Sequence, residues 1–199
     1  MRRLVVIAVL ALLSAPCALT AAGTGAVKGT ITTGAATPVA NAVVLIEGPT
    51  VAAPPNAPHA VVDQRDDTFV PHVLAIPVGT TVDFPNSDPH MHNVLSTNRV
   101  KPFDLGMYPR GEKKSVTFDQ PGVIPLRCNV HPKMDAYIVV HTNPYVAVTN
   151  EAGEYTITGV PAGSYTVRIW HERLAEKTGP VTVREDGVAR LDMRLDRRE

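Results

Sequence analysis

The strongest constraint on this chain is the period at which its apolar residues recur. Beyond residue 25 no segment sustains the i, i+3, i+4, i+7 spacing of a helix face. Alternation of period two takes its place. In Ala189-Arg190-Leu191-Asp192-Met193-Arg194-Leu195 the four apolar side chains share one face and the three charged ones the other. Thr81–Phe84 and Ser115–Asp119 alternate in the same way, and Tyr165, Val167 and Ile169 fall on one face. Ala136–Val140 and Val43–Ile46 are continuous apolar, β-branched runs, as expected of strands buried on both sides. Eighteen prolines in 199 residues oppose long helices, since each removes an N–H donor and fixes φ. The chain reads as all-β, and turn signals at intervals of about 8–12 residues point to β-sandwiches. Glu172–Lys177 is the one stretch that admits a short helical turn.

The amino terminus reads differently. Arg2 and Arg3 precede a ten-residue apolar run, Leu4–Leu13, and small residues follow up to Ala22. Such a run is too short for a membrane span, which needs about 20 residues, and has the layout of a secretory signal peptide over residues 1–22. Pro16 before Cys17 argues against a lipoprotein reading. Removing residues 1–22 takes two arginines and no acid from a chain of 19 basic and 19 acidic residues, leaving a formal charge of −2. The expected mature chain is exported, periplasmic or extracellular, with no membrane span. Its charge balance excludes a nucleic-acid binder that relies on a basic stripe. It keeps one cysteine, Cys128, in an oxidising compartment where a lone thiol needs an occupation. That occupation is either burial as a small hydrophobe or a metal thiolate.

Two shifts in composition divide the rest. Residues 49–58 (PTVAAPPNAP) read as a linker, and Thr142-Asn143-Pro144 closes the stretch that follows. Residues 59–142 hold six of the seven histidines and Cys128. Residues 26–48 offer two strands, too few to fold alone, and residues 150–195 supply about four more. In the latter, Asn150-Glu151-Ala152-Gly153-Glu154-Tyr155 and Val160-Pro161-Ala162-Gly163-Ser164-Tyr165 resemble the carboxypeptidase regulatory-like, transthyretin-like sandwich. Val27–Ile31 and Pro38–Val44 are similar to its opening strands. The expectation is a discontinuous transthyretin-like or immunoglobulin-like sandwich, 26–48 plus 145–196, with a second domain, 59–142, inserted after its second strand.

Within the insert, Cys128-Asn129-Val130-His131-Pro132-Lys133-Met134 places a thiol, an imidazole and a thioether in one seven-residue loop between two strand signals. A second imidazole, His92 in His90-Met91-His92-Asn93-Val94, follows the strand Thr81–Phe84. Two imidazoles and a thiolate with a weak thioether are the donors of a trigonal electron-transfer copper site. Structural zinc prefers four Cys or His donors. His90 is a further ligand or a rim histidine, and Met91 an alternative axial ligand or a surface residue. His59, His72, His141 and His171 have no spacing that suggests a metal. Tyr165 and Trp170 are expected in the core of the outer sandwich.

The insert resembles a cupredoxin of the plastocyanin, pseudoazurin and amicyanin group, a Greek-key β-sandwich. The resemblance rests on Cys-x2-His-x2-Met, on His-Asn-Val after an Asn/Asp-rich turn, and on Val78-Gly79-x-x-Val82-x-Phe84-x-Asn86. It implies one copper ion cycling between Cu(I) and Cu(II), held by His92, Cys128, His131 and Met134, and gives the upstream role to His92 over His90. It also implies that Asn93 ties the two ligand loops by hydrogen bonds. The domain order is similar to that of exported methylamine utilisation-type proteins. The functional expectation is a one-electron carrier serving an exported redox partner, with His131 as the electron exit amid Met91, Met107 and Pro132. Copper sequestration or delivery is the alternative, and an extracellular binding module built on the outer sandwich is a third reading. No enzyme is expected: too few histidines remain for a second copper site, and neither a supported Ser-His-Asp set nor a Gly-rich phosphate loop is present.

Overall fold

The computed structural model describes residues 23–48 and 57–198. The expected leader with Cys17, and residues 49–56 of the expected linker, lie outside the described residues. Among the described residues there is no helix, so none is long and apolar enough to cross a membrane.

Strands β1 (Thr24–Thr33) and β2 (Val43–Glu47) come first. Ten strands follow: β3 (Ala60–Val61), β4 (Asp63–Arg65), β5 (Thr68–Val70), β6 (Val73–Pro77), β7 (Thr80–Pro85), β8 (His92–Ser96), β9 (Phe103–Tyr108), β10 (Lys113–Phe118), β11 (Gly122–Arg127) and β12 (Asp135–His141). The last six are β13 (Val146–Val148), β14 (Glu154–Pro161), β15 (Gly163–Trp170), β16 (Lys177–Val183), β17 (Val188–Arg190) and β18 (Met193–Leu195).

The sheets sort by sequence region. β1 pairs with β14, β17 and β18, and β2 lies in the order β13-β2-β15-β16. The central strands form the orders β10-β7-β3 and β6-β12-β11-β8-β9, with β4-β5 as a hairpin. Each group encloses a core. Val62, Phe69, Val82, Phe84, Val94, Phe118, Ile124, Leu126 and Ile138 fill the central one. Val27, Ile31, Ile46, Tyr155, Ile157, Val167, Ile169 and Leu195 fill the outer one.

The continuous apolar runs are explained by what lies on their two faces. In β12, Ile138 and Val140 point into the central core. Val139 between them joins a third cluster with Val43, Val73 and Trp170. In β2, Val44 and Ile46 enter the outer core, while Val43 joins that same third cluster. These two strands are buried on both sides because the two sheet systems meet through them. Trp170 therefore sits at the junction, its ring centroid 5.4 Å from that of Tyr137 in β12, and not within the outer core as expected. Tyr165 packs against the outer core.

Two further expectations are corrected. Glu172–Lys177 forms no helical turn; Leu174 bridges Arg197, and Lys177 opens β16. The alternating run Ala189–Leu195 keeps its faces but is not one strand. It breaks at Leu191-Asp192, where the Asp192 carboxylate accepts the Thr30 N–H at 2.9 Å and takes the place of a ladder carbonyl.

Candidate metal centre

Two strand ends build the centre. β11 and β12 are paired in full from Gly122–Val140 to Arg127–Asp135, so the residues between them, 128–134, must turn back within one tight loop. The loop closes on itself: Met134 N–H donates to His131 C=O at 2.9 Å, and Cys128 N–H to Met134 C=O at 3.2 Å. β8 lies beside β11 and begins at His92, which places that imidazole against the loop.

Three donor atoms converge there. His92 Nδ1 lies 3.0 Å from His131 Nδ1 and 3.8 Å from Cys128 Sγ. Atoms that share one ion at bond lengths of about 2.0–2.3 Å stand about 3.3–3.8 Å apart; the sulfur–nitrogen spacing fits, and the two nitrogens, at 3.0 Å, need only part slightly to share an ion. His92 is fully buried, Cys128 and Met134 are buried, and the His131 side chain is 29% exposed. Cys128 is a free thiol. Asn93 carries the loop tie: its Oδ1 accepts Asn129 N–H at 2.8 Å, and its Nδ2 donates to Asp104 at 3.2 Å.

The far nitrogen of His92 faces acid. Its Nε2 is buried without a hydrogen bond of good geometry, 3.4 Å from Asp88 Oδ2 and 3.7 Å from Asp67 Oδ1. A carboxylate behind Nε2 favours the tautomer that leaves Nδ1 free to ligate. Asp88 itself is buried, and its pKa is lowered, above all by the Asp67 N–H, which donates to it at 2.7 Å. Asp67 comes from the β4–β5 hairpin, whose turn residues Asp66 and Asp67 have φ of 54° and 53°, the left-handed pair that a two-residue hairpin turn demands. That turn delivers the Asp67 carboxylate to 3.5 Å from His131 Nε2 and 3.3 Å from His90 Nδ1. His90 is exposed and Met91 is half exposed, so both lie at the rim.

Asp67 and Asp88 were not singled out by sequence reasoning. What brings Asp67 to the histidines is the β4–β5 turn, a placement with no local signature in the sequence. A second missed group is His72, Asp135 and Glu172, whose ligand atoms lie within 4.8 Å of one another.

Residues 131–196 match the family model of the carboxypeptidase regulatory-like domain. The match starts inside the ligand loop and includes β12, which pairs with β11 and β6 of the central sheets. Among solved structures the chain is similar to a copper-containing nitrite reductase, NirK, from Thermus scotoductus: 30% identity, TM-score 0.41, over 48% of this chain and 26% of that one. It thus spans about a quarter of the reductase. It is also similar to a purple cupredoxin from Nitrosopumilus maritimus, with 26% identity and TM-score 0.39 over 41% of this chain and 99% of that one. A reduced amicyanin mutant gives 28% identity and TM-score 0.40 over 49% and 98%. A comparison with curated proteins finds no match. With TM-scores of 0.39–0.41, the weight of a metal assignment rests on the donor atoms themselves.

Proposed function

We propose that this chain is an exported type 1 copper protein that carries single electrons. The observation behind this reading is the convergence of His92 Nδ1, His131 Nδ1 and Cys128 Sγ in a buried pocket at the end of the central sheets. The donor set fits copper: one thiolate and two imidazoles, with the Met134 thioether buried in the same loop. Copper held there supplies a one-electron couple.

The protein's own part is to hold the donors still. The β11–β12 pairing and the Asn93 tie set the loop, and the carboxylates of Asp88 and Asp67 orient His92. Burial of Cys128 keeps bulk water from the thiolate. His131 is partly exposed beside the Asp67 carboxylate, and Met91 just before β8, Met107 of β9 and Val130 of the ligand loop are exposed apolar side chains. A redox partner docking there would meet apolar side chains edged by one carboxylate.

Copper storage or delivery is the second reading. It draws support from a neighbouring group, in which exposed Asp67 and His90 and buried Asp88 bring three more ligand atoms within 4.8 Å of one another. The test begins with Cu(II) added to the purified metal-free chain. An intense visible thiolate-to-copper band is expected and disappears in Cys128→Ser; a colourless wild-type protein overturns the copper reading. Voltammetry then separates the roles, since rapid reversible cycling fits a carrier of electrons and loss of metal on reduction fits a carrier of copper.

A further inference from the structure

The geometry points to a second metal site, formed by His72, Asp135 and Glu172, that takes a divalent transition-metal ion such as Zn2+ where the two sheet systems meet. The residues come from three places: the β5–β6 turn, the first position of β12, and the segment just after β15. Two belong to the central sheets and one to the outer ones.

The hydrogen-bond chemistry of His72 carries the argument. Its Nδ1 lies 3.2 Å from the Asp135 backbone carbonyl. A carbonyl only accepts, so Nδ1 bears the hydrogen, and in the neutral ring Nε2 then presents a lone pair. Yet Nε2 lies 3.1 Å from Glu172 Oε1, and an ionised carboxylate only accepts as well. Two acceptors at that distance need a positive charge between them, a proton or a metal ion. The Asp135 carboxylate stands in the same group, all three ligand atoms being within 4.8 Å of one another. A proton on Nε2 serves one carboxylate; a metal ion serves both. Donors bound to one ion at about 2.0–2.2 Å lie about 3.2–3.5 Å apart, close to the 3.1 Å observed. An imidazole fixed through Nδ1–H to a backbone carbonyl, with Nε2 free, is the arrangement by which proteins pre-orient a metal-binding histidine.

The surroundings favour retention of an ion. The Glu172 side chain is 11% exposed and that of His72 31%, so the carboxylate is largely withdrawn from water. The Tyr137 ring stands edge-on to His72, with centroids 5.7 Å apart, and limits its rotation. A competing cation is Arg173, 3.5 Å from the same Glu172 oxygen, with a side chain 79% exposed; Arg127 lies opposite Asp135 in the β11–β12 pairing. One imidazole and two carboxylates make a harder set than the Cys128 centre, suited to Zn2+ or Cu2+ over Cu+. Asp135 directly follows Met134, so an ion here would anchor one end of the ligand loop to the outer sheets.

The test is calorimetric titration of Zn2+ into the full chain carrying Cys128→Ser, compared with the same protein also carrying Glu172→Gln or His72→Phe. Cys128→Ser should bind one more equivalent than either double variant, or bind it at least tenfold more tightly. Glu172→Gln nearly preserves shape, and circular dichroism verifies that each variant is folded. Zn2+ should also raise the melting temperature of the Cys128→Ser protein further than that of either double variant. Identical titrations would overturn the site. Because Cys128 is absent throughout, failure of the copper reading does not alter this outcome.

Discussion

His141 closes β12 with its ring buried and both nitrogens lacking a well-formed hydrogen bond. Burial pushes its pKa below the ordinary histidine value. Above about pH 6.5 the ring is neutral in both the folded and the unfolded chain, and stability does not depend on it. Below that pH the unfolded chain takes up a proton that the folded one refuses, so stability falls with a slope of up to about 1.4 kcal/mol per pH unit. His171 shifts in the same direction, also through burial. Comparison of the wild type with His141→Leu separates the two. Melting temperatures between pH 7.5 and 5 should fall less steeply in the variant; parallel curves would show that His141 is protonated in the fold.

At the scale of the element, β1 is set by an approach that only glycine permits. A Cβ on Gly29 would meet the Leu191 carbonyl oxygen at 1.9 Å, where the chain passes from β17 to β18. Both of those strands run parallel to β1, on either side of this point. Gly29→Ala should cost at least about 1–3 kcal/mol through forced displacement, read as a lower midpoint in urea unfolding; an unchanged midpoint would mean that the strands give way freely. The same place shows what was legible in the sequence. The faces of Ala189–Leu195 could be read because period two is local. The break at Asp192 could not, because its cause is Thr30, 162 residues away. The metal centre divides likewise. Cys128 and His131 were legible because one loop holds both, with Met134 buried in that loop; His92 was legible from its place after a strand, and the resemblance chose it over His90 and pointed to Asn93. Asp67, and the group of His72, Asp135 and Glu172, have no local signature, because only strand pairing and hairpin geometry bring them together.

At the scale of the whole molecule, Trp170 decides how the two sheet systems behave on heating. It ends β15 of the outer sheets, yet its neighbours include Val73 and Val139 of the central ones. Tyr137, whose ring packs against it at a tilt of 58°, lies two residues beyond Asp135 and so near the end of the ligand loop. A large buried ring shared by two cores makes the loss of one core a loss of packing for the other. Truncation of such a side chain typically costs about 3–5 kcal/mol, as transfer free energy and as the cavity left behind. Here part of that energy is coupling between the two cores, which a ring inside either core alone would not supply. The wild type should therefore unfold in a single calorimetric transition. In Trp170→Ala the transition should split in two, with the addition of Cu(II) raising only the one that belongs to the central sheets. A single transition, merely shifted downward, would mean that the rest of the junction, Val43, Val73 and Val139, holds the two systems together without the ring.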